Sequence, residues 1–142
     1  FTLIRKIINS PIKLHGLAHI TGGGIKDNLE RILPDPNFCV PGYNQVNVDA
    51  EIDLSCLQIP EIFDILRTKV DGSIRADDAM LSTFNCGAGL IAIVSPEDEQ
   101  NLISLINTME YNAYSAGRIA ADGARKVRFL NNLDWSKRPQ KK

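Results

Sequence analysis

The segment with the clearest capacity for chemistry lies near the start of the 142-residue chain, where two histidines precede three consecutive glycines. It reads His15-Gly16-Leu17-Ala18-His19-Ile20-Thr21-Gly22-Gly23-Gly24, and residues with helical periodicity follow it. Glycines directly before a helix can turn several backbone N–H groups toward one point, where the helix N-terminus adds partial positive charge. The pattern therefore predicts a phosphate-binding loop with Gly22, Gly23 and Gly24 as its backbone donors.

Two side chains beside these glycines could complete such a loop. Thr21 offers a hydroxyl donor, and His19 could donate to a phosphate or act as a general acid or base. The alternative is an ordinary tight turn beside a partly buried histidine, because the segment matches neither the P-loop nor the Gly-x-Gly-x-x-Gly pattern. Three consecutive glycines cost backbone entropy that an ordinary turn does not require, which favours the phosphate loop.

A second candidate segment reads Thr83-Phe84-Asn85-Cys86-Gly87-Ala88-Gly89. Its two glycines allow a ligand or another backbone to approach closely, and Asn85 supplies both a donor and an acceptor. Cys86 resembles a nucleophile, but no basic residue lies near it in sequence. We therefore expect Cys86 to be a buried, small apolar side chain.

The cysteines and histidines do not predict a metal site. Cys39, Cys56 and Cys86 are far apart and lack Cys-x-x-Cys spacing, which favours reduced thiols over the alternatives of a disulfide or a thiolate metal site. His15 and His19 would suit a metal on a helix, but the glycines between and after them disfavour a helix.

Composition limits the possible partners. Hydrophobic residues make up 44% and charged residues 23%, as in an ordinary soluble domain, and the formal charge of −1 disfavours long nucleic acids. No apolar run approaches the length of a membrane span. Because Phe1 stands inside an amphipathic pattern without an initiator Met, we expect residues 1–142 to be one domain of a longer protein. Residues 136–142 are expected to form a frayed basic tail.

Apolar periodicity and breakers predict an α+β layered domain. Helices are expected over about 1–9, 25–33, 59–69 and 76–82, and Asp71-Gly72 is expected to stop the helix at 59–69. A fifth helix is expected from Ser95-Pro96 to about Thr108, with Ser95 as its N-cap. Strands are expected over about 45–52, 89–94, 111–120 and 125–130, the last two joined by a turn at Asp122-Gly123. The uninterrupted apolar run at 89–94 predicts a central strand buried on both faces.

Both candidate motifs together resemble the phosphoribosylformylglycinamidine cyclo-ligases, also called aminoimidazole ribonucleotide synthetases. The likeness runs through residues 16–24, Asn28-Leu29-Glu30-Arg31-Ile32-Leu33-Pro34 and residues 83–89, and includes the helix starts at Pro60 and Pro96. It extends to the C-terminal half of that family only. The resemblance implies a layered α/β/α domain with a mixed sheet, while the ATP-binding half with its acidic metal-binding motifs has no counterpart in these residues.

The resemblance also implies an activity and a site. Family members use ATP and Mg²⁺, bound mainly by the N-terminal half, to close the imidazole ring of formylglycinamidine ribonucleotide in purine biosynthesis. By resemblance, residues 19–24 hold the phosphoribosyl substrate, and the Asn85-Cys86-Gly87 turn lines the same cleft. His19 lies near the reacting groups, either as a catalytic residue or as a substrate-binding one. A cytoplasmic homodimer is implied for the full-length enzyme, with this part alone inactive.

Two alternatives remain open at the level of sequence. Formylglycinamidine ribonucleotide synthases, thiamine-monophosphate kinases and selenophosphate synthetases have related halves, although their loops differ. The other alternative is a non-catalytic module that binds a phosphate ligand.

Overall fold

The computed structural model describes residues 2–35, 37, 46–70 and 75–140, which form five helices and five strands within those ranges. The helices are α1 (Thr2–Ile8), α2 (Gly24–Glu30), α3 (Glu61–Arg67), α4 (Ala76–Thr83) and α5 (Glu99–Asn107). The strands are β1 (Leu14–His19), β2 (Val48–Asp53), β3 (Leu90–Val94), β4 (Gly117–Ala121) and β5 (Val127–Leu130). Short 3₁₀ turns occupy Leu54–Cys56 and Pro96–Asp98. The α+β class predicted from the sequence is confirmed.

Prolines set several helix boundaries, as the sequence predicts. Pro60 is the N-cap of α3, and Pro96 opens the turn that leads into α5. Each supplies a fixed φ angle and lacks an N–H that the first turn would leave unpaired. The predicted stop at Asp71-Gly72 lies outside the described residues.

Ser95 holds the predicted N-cap position of the turn Pro96–Asp98, but the prediction that its hydroxyl caps this turn is wrong. Its side chain makes no capping hydrogen bond, and its hydroxyl lies 2.9 Å from Nε2 of His15 instead. Ser95 is only 6% exposed, and the imidazole is the partner that burial of the hydroxyl requires.

Strand β2 is the centre of a mixed three-stranded sheet in the order β4-β2-β5. It pairs antiparallel with β4 and parallel with β5. The predicted mixed sheet is therefore confirmed, although β4 begins at Gly117 rather than near Tyr111. The two strands on either side of the Asp122-Gly123 turn do not pair with each other, because β2 lies between them.

Strands β1 and β3 form a separate antiparallel pair. In the described part of the chain β3 has no second neighbour, and all five of its side chains are half-buried. The prediction of a central strand buried on both faces is therefore wrong. No strand is predicted from the sequence where β1 lies. Its pairing with a strand about 70 positions later stabilises the extended conformation.

The main hydrophobic cluster joins both sheets to α2 and α4. It contains Ala18 and Ile20 at the end of β1, Ile25 and Leu29 of α2, and Leu81 of α4. Ile91 and Ile93 of β3 pack against this cluster. The chain therefore leaves β1 beside the core, where Ile20 and Ile25 are buried on either side of the glycines. This packing fixes the position of residues 22–24. No described helix has the length and apolar character needed to cross a membrane.

The described part of the predicted tail, residues 136–140, is docked rather than frayed. The amide of Ile59 donates to the carbonyl oxygen of Lys137 at 2.8 Å. The Arg138 guanidinium donates to the Ile59 carbonyl and to Asp64, both at 3.1 Å, and also to the carbonyl of Trp135. Lys141 and Lys142 lie outside the described residues.

Candidate functional site

The two sequence motifs meet at one end of the β1/β3 sheet. His19, the last residue of β1, is paired with Leu90, the first residue of β3. One step further, the amide of Ile20 donates to the carbonyl oxygen of Gly89 at 3.0 Å. Residues 20–24 and 85–89 are thus neighbours in space, as expected for two segments that contribute to one site.

Two glycines of the first motif have a conformational reason for their identity. Gly23 has φ 92° and Gly24 has φ 64°, both in the left-handed region that disfavours other residues. A Cβ atom on Gly24 would also collide with the carbonyl oxygen of Leu81 at the end of α4. The amide of Gly24 donates to the Thr21 carbonyl at 3.2 Å, which closes the turn.

Gly22 and Gly89 differ from the other described glycines because no neighbouring described atom requires the absence of a side chain. A Cβ atom on either would meet no atom within 4 Å, and neither has a positive φ angle. Each of the other six described glycines has a close neighbour at the Cβ position. Both glycines are exposed and lie in the two motifs that meet, so the space beside them is open to a group from outside the chain.

Backbone donors are available in the same turn. In the described part of the chain, no acceptor bonds the N–H groups of Thr21, Gly22 or Gly23. Because α2 has only seven residues, these amides rather than a long helix dipole are the main source of positive potential. Amide groups on successive residues of such a turn form a concave surface that suits an anion.

Asn28 ties the turn to α2 from the inside. Its Nδ2 donates to the carbonyl oxygens of Gly24 at 2.7 Å and Gly22 at 3.2 Å, with a weaker approach to Thr21 at 3.5 Å. Its Oδ1 accepts the Thr21 hydroxyl at 3.4 Å. The Thr21 hydroxyl, predicted as a ligand donor, therefore points its proton into the loop. Sequence reasoning did not assign Asn28 to the site; its position four residues after Gly24, on the buried face of α2, was the available signal.

The two histidines of β1 have different surroundings. His15 bonds Ser95, as described above. His19 is exposed, and no other described residue forms a hydrogen bond or ion pair with its imidazole. It stands beside the turn as an exposed side chain, which suits a role toward a ligand.

The second motif forms a rigid turn. The amide of Gly87 donates to Oδ1 of Asn85 at 3.0 Å, and Gly87, at φ 99°, packs against the carbonyl of Gln58. Cys86 is fully buried, and its thiol approaches the carbonyl of Met80 at 3.8 Å. Burial, with a smaller effect of the Asp77 charge, raises the pKa of Cys86 to about 11. Its side chain is therefore an apolar packing group, as the sequence predicts.

Metal ligands do not gather in the described residues, where no group of three or more His, Cys, Asp or Glu side chains is placed to hold an ion. Cys56 and Cys86 are both free thiols. Cys39 lies outside the described residues. The chemistry that this part of the chain offers is therefore backbone donation and an accessible imidazole.

The α+β fold, and the site at which the two glycine-containing motifs meet, are those of a known class of domain. The chain belongs to the family described as AIR synthase related protein, C-terminal domain, whose model matches residues 2–129. Three curated relatives are each named phosphoribosylformylglycinamidine cyclo-ligase. The relative from Alkaliphilus oremlandii is 37% identical over 116 residues, which cover 82% of this chain and 30% of the relative.

The other two relatives give the same picture. The protein from Chromobacterium violaceum is 33% identical over 117 residues, covering 82% of this chain and 29% of its own length. The protein from Methylobacillus flagellatus is 37% identical over 113 residues, which cover 80% of this chain and 29% of that protein. The chain thus spans less than a third of the length of the curated relatives that it matches.

Proposed function

We propose that this chain is the substrate-side domain of a phosphoribosylformylglycinamidine cyclo-ligase. The reaction closes the imidazole ring of formylglycinamidine ribonucleotide. ATP, with Mg²⁺, would transfer its γ-phosphoryl group to the formyl oxygen and leave as ADP. An amidine nitrogen would then attack the formyl carbon, and the formyl oxygen would leave as inorganic phosphate. ATP and Mg²⁺ are held mainly by the part of the enzyme that this chain does not span, and a homodimer and a cytoplasmic location belong to that full-length enzyme.

The space beside Gly22 and Gly89 is the observation that carries the proposal. Both glycines are exposed and leave room for a group from outside the chain to approach the backbone, and the unbonded amides of residues 21–23 belong to the same turn as Gly22. Amide donors prefer an anion, and the phosphate of a ribonucleotide is the anion that such a turn accommodates. We assign the ribose phosphate to the amides of Thr21, Gly22 and Gly23. The Gly24 amide, predicted as a further donor, is bonded to the Thr21 carbonyl instead, so Gly24 shapes the turn without donating to the ligand.

The remaining residues of the site orient the reacting end. The rigid Asn85–Gly87 turn forms the second wall of the cleft through its backbone. His19, exposed and free of other described partners, is placed to donate to the substrate or to take the proton that the attacking nitrogen loses. Holding both reacting groups in one geometry lowers the entropic barrier to ring closure, which is the main contribution expected from this domain.

A hybrid enzyme tests the activity. The corresponding segment of the Alkaliphilus oremlandii relative is replaced by this chain, and ADP release and aminoimidazole ribonucleotide formation are measured. We expect substrate-dependent turnover from the hybrid. A folded hybrid that binds substrate and fails to turn over would contradict the proposal and support a non-catalytic binding module.

Two histidine variants of the hybrid provide a matched comparison. His19→Gln should lower kcat/KM by roughly a hundredfold or more, in the range of a lost acid–base group. His15→Gln, at the other end of the same strand, should leave kcat/KM within about twofold, because His15 bonds Ser95 away from the turn. Equal losses in both variants would remove His19 from the proposed site.

A further inference from the structure

We propose that Asn28 is a positioning residue that fixes the polarity of the glycine turn, so that the turn presents amide donors and no carbonyl acceptors to its ligand. This inference rests on the proposed function, since it assigns the ligand as an anion held by residues 21–24. Asn28 itself does not touch the ligand.

Burial and hydrogen bonding of one side chain support this role. Asn28 is 7% exposed, and its amide nitrogen lies against the carbonyl oxygens of Gly24, Gly22 and Thr21. The Thr21 carbonyl also accepts the Gly24 amide at 3.2 Å, and the Gly24 carbonyl belongs to α2. Among the described residues, the Gly22 carbonyl is therefore the one whose direction depends on Asn28 alone. One buried amide thus draws the acceptors of the turn toward α2.

The geometry of a peptide unit makes the consequence direct. The C=O and N–H groups of a peptide point in opposite directions across the plane, so turning the Gly22 carbonyl inward turns the Gly23 amide outward. Likewise, the inward carbonyl of Thr21 leaves the amide of Gly22 facing outward. The outward amide of Gly23 is thus a result of where Asn28 holds the Gly22 oxygen, whereas the Thr21 oxygen is held by the Gly24 amide with a weaker contribution from Asn28.

Glycine at these positions makes such a device necessary. Gly22 and Gly23 have no side chains to restrict their peptide planes, and a flip of either plane would present a carbonyl oxygen to the ligand. An oxygen facing a phosphate is repelled, whereas an amide is attracted. Asn28 therefore confers both affinity for anions and order in the turn before the ligand arrives, which reduces the entropy cost of binding.

The test uses the full 142-residue chain and ribose 5-phosphate as the probe. Affinity is measured by calorimetry, and the amide signals of Gly22 and Gly23 are followed by NMR. Asn28→Leu has nearly the same size and no donor, and it should weaken binding at least tenfold and shift the free-state signals of residues 22–24. Asn28→Asp should do the same, because its oxygen replaces the donor that faced the carbonyls.

Asp49→Asn is the matched control. Asp49 is 2% exposed and also binds backbone amides of a turn, those of Ala124 and Lys126, but it lies on β2 in the other sheet. This variant should lower the melting temperature and leave ribose 5-phosphate affinity within about twofold. Should the Asn28 variants fail to fold, protection of the Asn28 side-chain amide protons from exchange in the unsubstituted chain tests the same contacts, and rapid exchange overturns the inference.

The outcomes separate the two proposals. Saturable shifts at Gly22 and Gly23 that persist unchanged in Asn28→Leu would overturn the role of Asn28 and leave the proposed function standing. An unsubstituted chain that does not bind ribose 5-phosphate would count against the phosphate assignment. The free-state signals of residues 22–24 then decide the role of Asn28 alone: a shift in Asn28→Leu supports it, and unchanged signals overturn it.

Discussion

The amide of Ile20 donates a hydrogen bond to the carbonyl oxygen of Gly89 at 3.0 Å, and this bond joins the two motifs of the candidate site. It extends the β1/β3 ladder by one residue beyond the pairing of His19 with Leu90. The spacing of the two turns is therefore set by backbone hydrogen bonds, which tolerate side-chain changes on either strand.

Gly22 and Gly24 should respond in opposite ways to the same substitution. Gly24→Ala should lower the free energy of unfolding by about 2 to 4 kcal/mol, because a left-handed residue is strained and its Cβ would collide with Leu81. Gly22→Ala should change it by less than about 0.5 kcal/mol. Urea denaturation of the two variants measures the difference.

The order should be reversed for ligand affinity, where substitution of Gly22 should have the larger effect. Gly22→Val fills space that the protein leaves open, and it should weaken ribose 5-phosphate binding roughly tenfold or more, the equivalent of losing one hydrogen bond to a charged group. Calorimetry on the folded variant gives the value. Unchanged affinity would show that the open space beside Gly22 is not used by this ligand.

Cys86 should be unreactive in the folded chain. Burial raises the pKa of its thiol to about 11, so almost no thiolate is present near neutral pH. In a Cys39→Ser background, a thiol reagent at pH 8 should label the half-buried Cys56 first and Cys86 only on unfolding. Peptide mapping by mass spectrometry identifies the sites, and equal native rates would contradict the burial of Cys86.

Asp53 should make stability depend on acid. Hydrogen bonds from Asn131 and then Ser55 lower the pKa of its carboxyl from 3.8 to about 2. Because the folded pKa lies below the unfolded one, this stabilisation is complete above about pH 4 and is lost as the pH falls toward 2. The free energy of unfolding of Asp53→Asn should therefore fall less than that of the unsubstituted chain over this interval.

Asn131→Gly provides the control for the Asp53 prediction. Asn131 has φ 58°, which glycine adopts without strain, so this variant removes the amide donor alone. Its acid dependence should be intermediate between those of the unsubstituted chain and Asp53→Asn, because the hydrogen bonds from Ser55 to Asp53 remain. An acid dependence like that of the unsubstituted chain would show that the Asn131 contact does not hold the pKa down.

Arg138 should stabilise the fold although it lies near the end of the chain. Arg138→Ala removes hydrogen bonds to two carbonyls and to Asp64, and it should cost about 1 kcal/mol. Arg75→Ala is the matched control, because the Arg75 side chain is 80% exposed and its ion pair within the described residues is with exposed Asp78, so its loss should cost less than about 0.5 kcal/mol. Thermal melts followed by fluorescence of Trp135, the single tryptophan, compare the two variants.

Local signals predicted the helices well and the sheets less well. Pro60 and Pro96 act through their own backbone geometry, so sequence alone places the helices that follow them. Strand β1 contains Gly16 and leads into the glycine turn, and it is extended because of a partner far along the chain. The position of a strand within a sheet also depends on residues far away in sequence. The apolar run of β3 therefore does not reveal that β3 has one neighbouring strand in the described part of the chain.

The candidate site shows the same difference between features that local sequence predicts and features that depend on distant contacts. The glycines of both motifs were identifiable because a backbone requirement is visible as residue type. The roles within the site were not: Ser95 bonds a histidine instead of capping a helix, and Asn28 reaches three carbonyls only after α2 has formed. Hydrogen bonds between a side chain and a distant backbone depend on the folded path.

The separation of β1 from β3 has a consequence for folding kinetics. His19 and Leu90 lie about 70 positions apart, and a contact of such high sequence separation carries a loop-closure cost before it gains any stabilisation. Helices α2 and α5 require only local contacts. We therefore expect the ligand-binding end of the sheet to mature in the last steps of folding, after most of the helical content is in place.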